Sequence, residues 1–191
     1  TSIEMASKLS MVRPQQQLYD DVVVTEGGKY LGVVSVKDLL ETAVTIQVTR
    51  AVDSNPLSGL PGNTAIEEAV KECLGLSAPY SIAYLDLDNF KAYNDAYGFN
   101  SGDLMIKSVV RCMKNACSHQ EFLGHIGGDD FVIISKSHDL FTTCLQITKQ
   151  FTDSIEHLYS QQDWERGYIR SKNRNGFDDT FPIATLSIAI I

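Results

Sequence analysis

Basic residues are scarce in this sequence: 16 lysines and arginines stand against 24 aspartates and glutamates, a formal net charge of −8. This balance argues against a nucleic-acid-binding surface, which needs clustered lysine and arginine. No apolar run approaches the roughly 18 residues that span a bilayer, and no charged start with an apolar segment behind it marks a leader. We therefore expect no nucleic-acid partner and no membrane segment in this piece of chain.

Cysteine is also sparse. The four cysteines lie in helical patterns without CxxC spacing, at Cys73, Cys112, Cys117 and Cys144. The pattern predicts buried free thiols rather than zinc ligands or disulfides, and a reducing, cytoplasmic setting. With 43% hydrophobic and 21% charged residues, the composition is that of an ordinary globular protein.

A length of 191 residues allows one ordinary domain and a smaller attached unit. Residues 19–50 predict two short strands around a Gly-Gly turn, then a helix. Residues 53–63 concentrate proline, glycine, serine and asparagine, which is typical of a linker or loop. We therefore expect a small N-terminal unit over residues 1–50 and a larger domain over residues 51–191.

The larger domain shows alternating helical and strand patterns. They predict a capped helix from Thr64, with Thr64 to Glu67 as a capping box. Strand, helix, helix, strand, strand, helix and strand follow, at 81–86, 90–97, 102–116, 121–126, 131–135, 139–159 and 182–191. This order predicts an α+β fold, a ferredoxin-like βαββαβ antiparallel sheet with flanking helices, whose closing strand is buried.

The segment Gly127-Gly128-Asp129-Asp130 places two carboxylates at the tip of a predicted hairpin. Taken alone, it is equally typical of a solvated turn. In the predicted sheet, however, the first and third strands are antiparallel neighbours. Asp86, at the end of the first strand, should therefore meet Asp129 and Asp130, at the start of the third.

Such a convergence suits metal and phosphate chemistry. Asp86 and Asp129 are hard oxygen ligands of the kind Mg²⁺ prefers. The loop 88–91 opens a helix, whose free N–H groups can meet a phosphate. Asn94 and Asp103 together could recognise the edge of a guanine base. Their alternatives are an exposed helix residue for Asn94 and a first-turn acid for Asp103.

Four ordered blocks of sequence carry a resemblance to the GGDEF, or diguanylate cyclase, family from about Asp53 to Ile191. They are Asp53 to Asn63 (DSNPLSGLPGN), Asp86 to Lys91 (DLDNFK), Asn94 to Asp103 (NDAYGFNSGD) and Gly127 to Phe131 (GGDDF). The resemblance implies a nucleotidyl-cyclase palm. It also implies Mg²⁺- or Mn²⁺-dependent condensation of two GTP into cyclic di-GMP with release of pyrophosphate, carried out by two facing domains of a homodimer.

The resemblance also assigns roles to individual residues. The metal ligands would be Asp86, the Leu87 carbonyl, Asp129 and Asp130, and the three aspartates would also be the catalytic residues. The substrate would contact Phe90, Lys91, Asn94, Asp103, Gly127 and Gly128. Asp130 stands where the family has glutamate, one methylene longer. Two functions therefore stay open: an active cyclase, or a degenerate module that binds GTP and regulates an attached EAL phosphodiesterase.

Two further departures from the family pattern bear on regulation and binding. The product-inhibition motif Arg-x-x-Asp should fall at Ser118 to Glu121, where arginine is absent, so we expect no feedback by cyclic di-GMP there. The chain also stops after the last strand, where relatives continue into a helix with a phosphate-contacting lysine. We expect a fragment with weaker triphosphate binding.

The N-terminal unit resembles the closing part of a CBS domain, through Val22 to Val24, a turn, and Gly32 to Leu40. In CBS pairs, a serine and an aspartate at the spacing of Ser35 and Asp38 hold the ribose of an adenine nucleotide. The alternative, favoured in a partial unit, is an ordinary helix N-cap. The combination is similar to EAL-CBS-GGDEF signalling proteins.

Overall fold

The computed structural model describes residues 2–75, 79–136, 139–172 and 176–191. The chain divides into two compact units, one up to Val52 and one from Asp53 onward. Among the described residues, no helix combines the length and apolar character that crossing a bilayer requires. All four cysteines are free thiols, and all but the partly buried Cys117 are buried.

The first unit is a small helix-and-hairpin arrangement. Its elements are α1 (Ile3–Met11), a 3₁₀ turn (Gln15–Gln17), β1 (Val22–Glu26), β2 (Lys29–Val34) and α2 (Val36–Asp53). The two strands pair antiparallel, with an irregularity after Val24. The sequence patterns did not predict α1, whose N-cap is Ser2 and which leaves most of its large apolar side chains exposed.

The second unit is built on a four-stranded sheet. Its elements are α3 (Asn63–Leu74), β3 (Ser81–Leu87), α4 (Phe90–Tyr97), α5 (Phe99–Ala116), β4 (Phe122–Gly127), β5 (Asp130–Ser135), α6 (Phe141–Ser154), α7 (Gln161–Arg166), β6 (Tyr168–Lys172), β7 (Asp178–Pro182) and β8 (Leu186–Ile190). The sheet order is β4-β5-β3-β8, and every pair is antiparallel. The predicted α+β fold with an antiparallel sheet and flanking helices is confirmed.

Each face of this sheet packs against helices. Alternate residues of β3, such as Leu85 and Leu87, join the main core with apolar side chains of α5 and α6, including Met105 and Phe151. The opposite face packs against α3 through a smaller cluster around Val132. Because strand residues alternate between faces, Asp86 projects on the α3 side, at the end of β3.

The starts of two helices differ from the sequence predictions. Helix α3 is capped by the carboxylate of Asp53, which accepts from the N–H groups of Thr64 (3.1 Å) and Ala65 (3.0 Å). The predicted capping box was therefore wrong, because a residue distant in sequence supplies the cap. Helix α5 begins at Phe99, directly after Gly98, so Asp103 does not lie in its first turn as expected.

The C-terminal part differs most from the predictions. The helix predicted over 139–159 ends at Ser154 and is followed by a 3₁₀ turn (Glu156–Leu158). Pro182 closes β7, which pairs with β6 in a two-stranded ribbon that was not predicted. The closing strand β8 lies at an edge of the sheet and is not buried as expected, since Ile190 is 40% exposed.

Candidate functional site

Strand register brings together the carboxylates that the sequence places far apart. Asp86 of β3 lies directly opposite Asp130 of β5. Gly128 and Asp129 form the turn between β4 and β5, and the Leu87 N–H donates to the Asp129 carbonyl oxygen at 3.2 Å. Gly127 and Gly128 have φ values of 154° and 57°, which favour glycine in this tight turn.

The electrostatics of this cluster are unfavourable without a counterion. Burial raises the pKa of the Asp86 carboxyl, and the charges of Asp129 and Asp130 and a hydrogen bond with Asp130 raise it further. A hydrogen bond to Asp130 is the main cause that raises the pKa of Tyr84 to about 12. Within the described ranges, no lysine, arginine or histidine forms an ion pair with these three carboxylates. The cluster therefore suits a cation.

The donor set fits a hard divalent ion held by few protein ligands. No three histidine, cysteine or acidic side chains converge on one point in the part of the chain that the structure describes. Asp86, Leu87 and Asp129 nevertheless border the same cavity. Two carboxylates and a carbonyl leave coordination positions for phosphate oxygens, as Mg²⁺ sites in nucleotide enzymes do.

A cavity of about 300 Å³ lies between the C-terminal end of β3 and the hairpin turn. It is lined by Asp86, Leu87, Asp88, Asn89, Phe90, Lys91, Ala92, Asp129, Lys172 and Phe181. Of the predicted site residues, the cavity is lined by Asp86, Leu87, Asp129, Phe90 and Lys91. Asp130, Gly127, Gly128, Asn94 and Asp103 are not among its described lining residues.

Helix α4 points its N-terminus into this cavity. Asn89, just before the helix, is the one described non-glycine residue with positive φ, at 62°, and no side chain caps the helix start. The neighbouring Asp88 carboxylate instead accepts from the hydroxyls of Thr185 (2.7 Å) and Ser187 (2.8 Å). The first N–H groups of α4 are therefore left for a ligand, and an anion is the ligand they favour.

Asn94 lies against the start of α5. Its side-chain amide oxygen is buried and is the one described buried side-chain N or O atom without a hydrogen-bond partner. A Cβ on Gly102 would lie 1.8 Å from this oxygen, so any larger residue at 102 must displace the Asn94 amide. Asp103, the next residue, is exposed. The Asn94 amide therefore lies against Gly102, next to the exposed Asp103, and its oxygen forms no hydrogen bond within the described residues.

Sequence reasoning missed Tyr84, Lys172 and Phe181. Tyr84 lies two residues before Asp86, so the period-2 alternation of a strand could have placed both on one face. Lys172 and Phe181 come from β6 and β7, which carried no recognised pattern. A second cavity, of about 860 Å³, follows this ribbon, and Lys172 borders both cavities.

The two segments discussed above for regulation, Ser35 with Asp38 and Ser118 to Glu121, form local hydrogen bonds. The Ser35 hydroxyl donates to the Asp38 carboxylate at 2.7 Å and accepts from the Asp38 N–H at 3.1 Å, which is the N-cap alternative. At Ser118 to Glu121, the Glu121 carboxylate accepts from the N–H (2.7 Å) and hydroxyl (2.6 Å) of Ser118. The hydrogen bond from the Ser118 hydroxyl is the main reason that the pKa of Glu121 is lowered.

Comparison with known proteins gives one family. The sequence profile described as "Diguanylate cyclase, GGDEF domain" matches residues 53–168. Diguanylate cyclase DgcP of Escherichia coli K12 is 34% identical over 108 residues, which cover 54% of this chain and 31% of DgcP. Cyclic di-GMP phosphodiesterase PdeB of Shewanella oneidensis MR-1 is 32% identical over 103 residues, 53% of this chain and 12% of PdeB. The chain thus spans a third or less of these curated relatives.

The fold likeness extends to solved structures. The coiled coil and GGDEF domain of DgcB from Caulobacter crescentus, solved in complex with c-di-GMP, superposes with a TM-score of 0.54 at 20% identity. The match covers 81% of this chain and 76% of that one. At this identity the likeness concerns the fold alone.

Proposed function

Because the chain belongs to the GGDEF diguanylate cyclase family, we propose that its second unit binds GTP with Mg²⁺ or Mn²⁺ and condenses two GTP into cyclic di-GMP. The ribose 3′-hydroxyl of one GTP attacks the α-phosphorus of the other, pyrophosphate leaves, and a second identical step closes the ring. Each GTP is held by one domain, so catalysis requires two copies facing each other. One observation carries the proposal: Asp86, Asp129 and the start of α4 border a single cavity.

The metal would be held by Asp86, Asp129 and the Leu87 carbonyl, with Asp130 beside them. When bound, a divalent ion neutralises the charge on the phosphates and lowers the pKa of the attacking hydroxyl. The raised pKa of Asp86 supports this assignment, since a cation relieves the repulsion among the clustered carboxylates. Asp130 faces Asp86 across the strand pair, where a carboxylate can accept the proton of the hydroxyl.

The phosphates would lie against the α4 N-terminus and two lysines. Phe90 and Lys91 follow from the family resemblance. Lys172 is a further cation on the cavity wall, contributed by the β6–β7 ribbon. A chain with net charge −8 needs such local positive charge to hold a triphosphate. Gly127 and Gly128 would let the backbone of the turn approach the nucleotide closely.

The guanine base would be held by Asn94 and Asp103. The buried amide oxygen of Asn94, which has no partner within the described chain, supports this role. Asp103 is exposed at the adjacent position and can accept from the N1–H and N2–H groups of guanine. An adenine base presents a different edge there, so the pair would favour GTP over ATP.

The decisive experiment is the formation of cyclic di-GMP from GTP and Mg²⁺, compared between the protein and its Asp129→Ala and Asp129→Asn variants. We expect product from the unaltered protein and none from either variant. Asp88→Asn is a matched control on the same cavity wall, because the Asp88 carboxylate already accepts from the hydroxyls of Thr185 and Ser187. Undiminished product from Asp129→Ala would refute the proposal.

Asp130 supports a second candidate, a degenerate module that binds GTP and regulates an attached EAL phosphodiesterase. A carboxylate withdrawn by ~1 Å can cost about 10²-fold in rate where geometry is critical. The appearance of phosphodiesterases such as PdeB among the relatives also favours a regulatory role. GTP binding without product, also after Asp130→Glu, would favour this second function. Product formed only after that substitution would show that the shorter side chain alone had abolished the reaction.

For the first unit, over about residues 1–50, we propose part of a CBS domain that binds an adenine nucleotide and sets the output of the second unit. The Ser35 hydroxyl and Asp38 carboxylate would then exchange their mutual hydrogen bond for the ribose hydroxyls. The test is titration with ATP and AMP, with Ser35→Ala and Asp38→Asn compared. Heat of binding that both substitutions leave unchanged would contradict this assignment.

A further inference from the structure

His125, in β4, occupies a nearly closed position between two loops. It is 2% exposed, and its ring stacks on Phe131 with centroids 4.4 Å apart. The Nδ1 atom lies 2.9 Å from the Ser58 hydroxyl, and Nε2 lies 3.1 Å from the Gly128 carbonyl oxygen. The backbone N–H donates to the Pro61 carbonyl at 2.9 Å. His125 therefore joins the loop 54–62 to the turn that carries Asp129.

The direction of these hydrogen bonds follows from their partners. The Gly128 carbonyl can only accept, so Nε2 carries the hydrogen. Burial lowers the pKa of the ring, which favours the neutral form; Nδ1 is then an acceptor of the Ser58 hydroxyl hydrogen. The Ser58 oxygen in turn accepts from the Leu60 N–H at 3.2 Å. A continuous series of hydrogen bonds therefore connects the loop 54–62 to the hairpin turn.

The turn is held at two successive carbonyl groups. His125 binds the carbonyl of Gly128, and the Leu87 N–H binds the carbonyl of Asp129. Two adjacent glycines with positive φ precede Asp129, so the local backbone supplies little restraint of its own. The placement of the Asp129 carboxylate beside Asp86 therefore depends on these two tethers.

We infer that His125 is a positioning residue for Asp129, which fixes the hairpin turn to the loop 54–62 through its Nε2–H bond to Gly128. Its effect on nucleotide binding rests on the proposed function, whereas the tether itself can be tested without nucleotide. We expect loss of the tether to leave the strand pairing in place, because the register of β4 with β5 involves backbone groups on both sides of His125.

The test uses a matched pair of substitutions. In His125→Gln, the side-chain amide reaches about as far as Nε2 and can still donate to Gly128. In His125→Asn, the amide reaches only about as far as Nδ1 and can bond Ser58 alone. Both lose the stacked ring, and they differ by one methylene, so a packing role predicts a difference in the free energy of unfolding without one confined to the turn. A positioning role predicts a difference at Gly128 and Asp129.

Two measurements separate these outcomes. In metal- and nucleotide-free protein, we expect the backbone ¹H–¹⁵N signals of Gly128 and Asp129 to stay near their wild-type positions in His125→Gln and to shift or broaden in His125→Asn. In calorimetry with GTP and Mg²⁺, we expect affinity within about twofold of wild type for His125→Gln and about tenfold weaker for His125→Asn, the effect of one hydrogen bond.

Equal spectra and equal affinities in the two variants would overturn the inference. So would a long-range ¹H–¹⁵N spectrum of the wild type with the ring hydrogen on Nδ1. If the substitutions at 125 prevent folding, this long-range spectrum of the wild type still decides, because a ring hydrogen on Nδ1 would leave the Gly128 carbonyl without its donor. If the wild type fails to bind GTP, the proposed function fails, while the spectra still decide the role of His125.

Discussion

Gly102→Ala separates nucleotide recognition from stability. Gly102 is the fourth residue of α5, where alanine normally stabilises a helix by about 1 kcal/mol relative to glycine. Here the added Cβ would lie 1.8 Å from the Asn94 amide oxygen and 2.8 Å from its Cγ. The amide must rotate out of its position, at about 1 kcal/mol for a strained side chain. The two effects nearly cancel, so we expect the free energy of unfolding to change by less than about 1 kcal/mol.

Nucleotide binding should respond quite differently. With the amide displaced, the guanine base loses at least one hydrogen bond, and we expect GTP affinity to fall about tenfold. The proposed phosphate contacts are in the cavity lined by Phe90 and Lys91, which does not include Gly102 or Asn94 among its described lining residues. The affinity for inorganic tripolyphosphate with Mg²⁺ should therefore be unchanged. Isothermal titration with both ligands, alongside chemical denaturation, measures all three quantities.

The control places Gly102→Ala in an Asn94→Ala background. With no amide to displace, alanine at position 102 should stabilise the protein by the full amount of about 1 kcal/mol and should not weaken GTP binding further. Wild-type GTP affinity in the single variant would refute the reasoning. So would equal stabilisation by Gly102→Ala in the two backgrounds, because the two side chains would then not interact.

Three further predictions concern charge. Asp86→Asn should stabilise the metal-free protein by about 1 kcal/mol at neutral pH, since it removes one of several clustered charges. Because the pKa of Asp86 is raised in the folded state, this advantage should vanish in acid, where the Asp86 carboxyl is neutral in both the folded and the unfolded state. Mg²⁺ should raise the Tm of the wild type more than that of the variant. A variant less stable than the wild type in the presence of a chelator would contradict this prediction. Lys172→Gln should weaken tripolyphosphate binding severalfold, because Lys172 lies on the cavity wall. Lys107→Gln, on an exposed part of α5, should not weaken it. Equal tripolyphosphate affinities of the two variants in calorimetry would count against a phosphate contact by Lys172. The pKa of Glu121 is lowered in the folded state, so its contribution to stability is present above its ordinary pKa and is lost as the pH falls. Glu121→Gln should therefore reduce the acid sensitivity of unfolding, and parallel stability curves for the two proteins would refute this.

The parts of the fold that follow local rules could be predicted from the sequence. Helix α4 begins and ends where its pattern and Gly98 indicate. The antiparallel pairing of β3 with β5 followed from strand order alone, and it led to the expectation that Asp86 meets Asp130. The closing strand was misjudged because an apolar segment reads as buried even where it forms an exposed edge.

The missed features depend on contacts between distant residues. The cap of α3 comes from Asp53, which is ten residues before the helix. The sequence near the helix start contains a local capping-box pattern, which predicts a different cap. Lys172 reaches the cavity only because β6 and β7 pair, and the pattern of their residues is mainly polar and exposed. The bonds of His125 to Ser58 and Gly128 follow from the path of the loop 54–62, which periodicity cannot predict.

The hydrogen bonds from His125 and Leu87 to the hairpin turn bear on how the three carboxylates are positioned for a cation. Asp86, Asp129 and Asp130 repel one another, and Asp129 is the one that lies on the turn rather than in a strand. Asp86 and Asp130 are fixed by strand register, so Asp129 is the one carboxylate of the three whose position depends on side-chain and loop contacts. The bonds from His125 and Leu87 act at this residue and its neighbour. A change in the loop 54–62 that loosens His125 would therefore weaken metal binding before it weakens the fold.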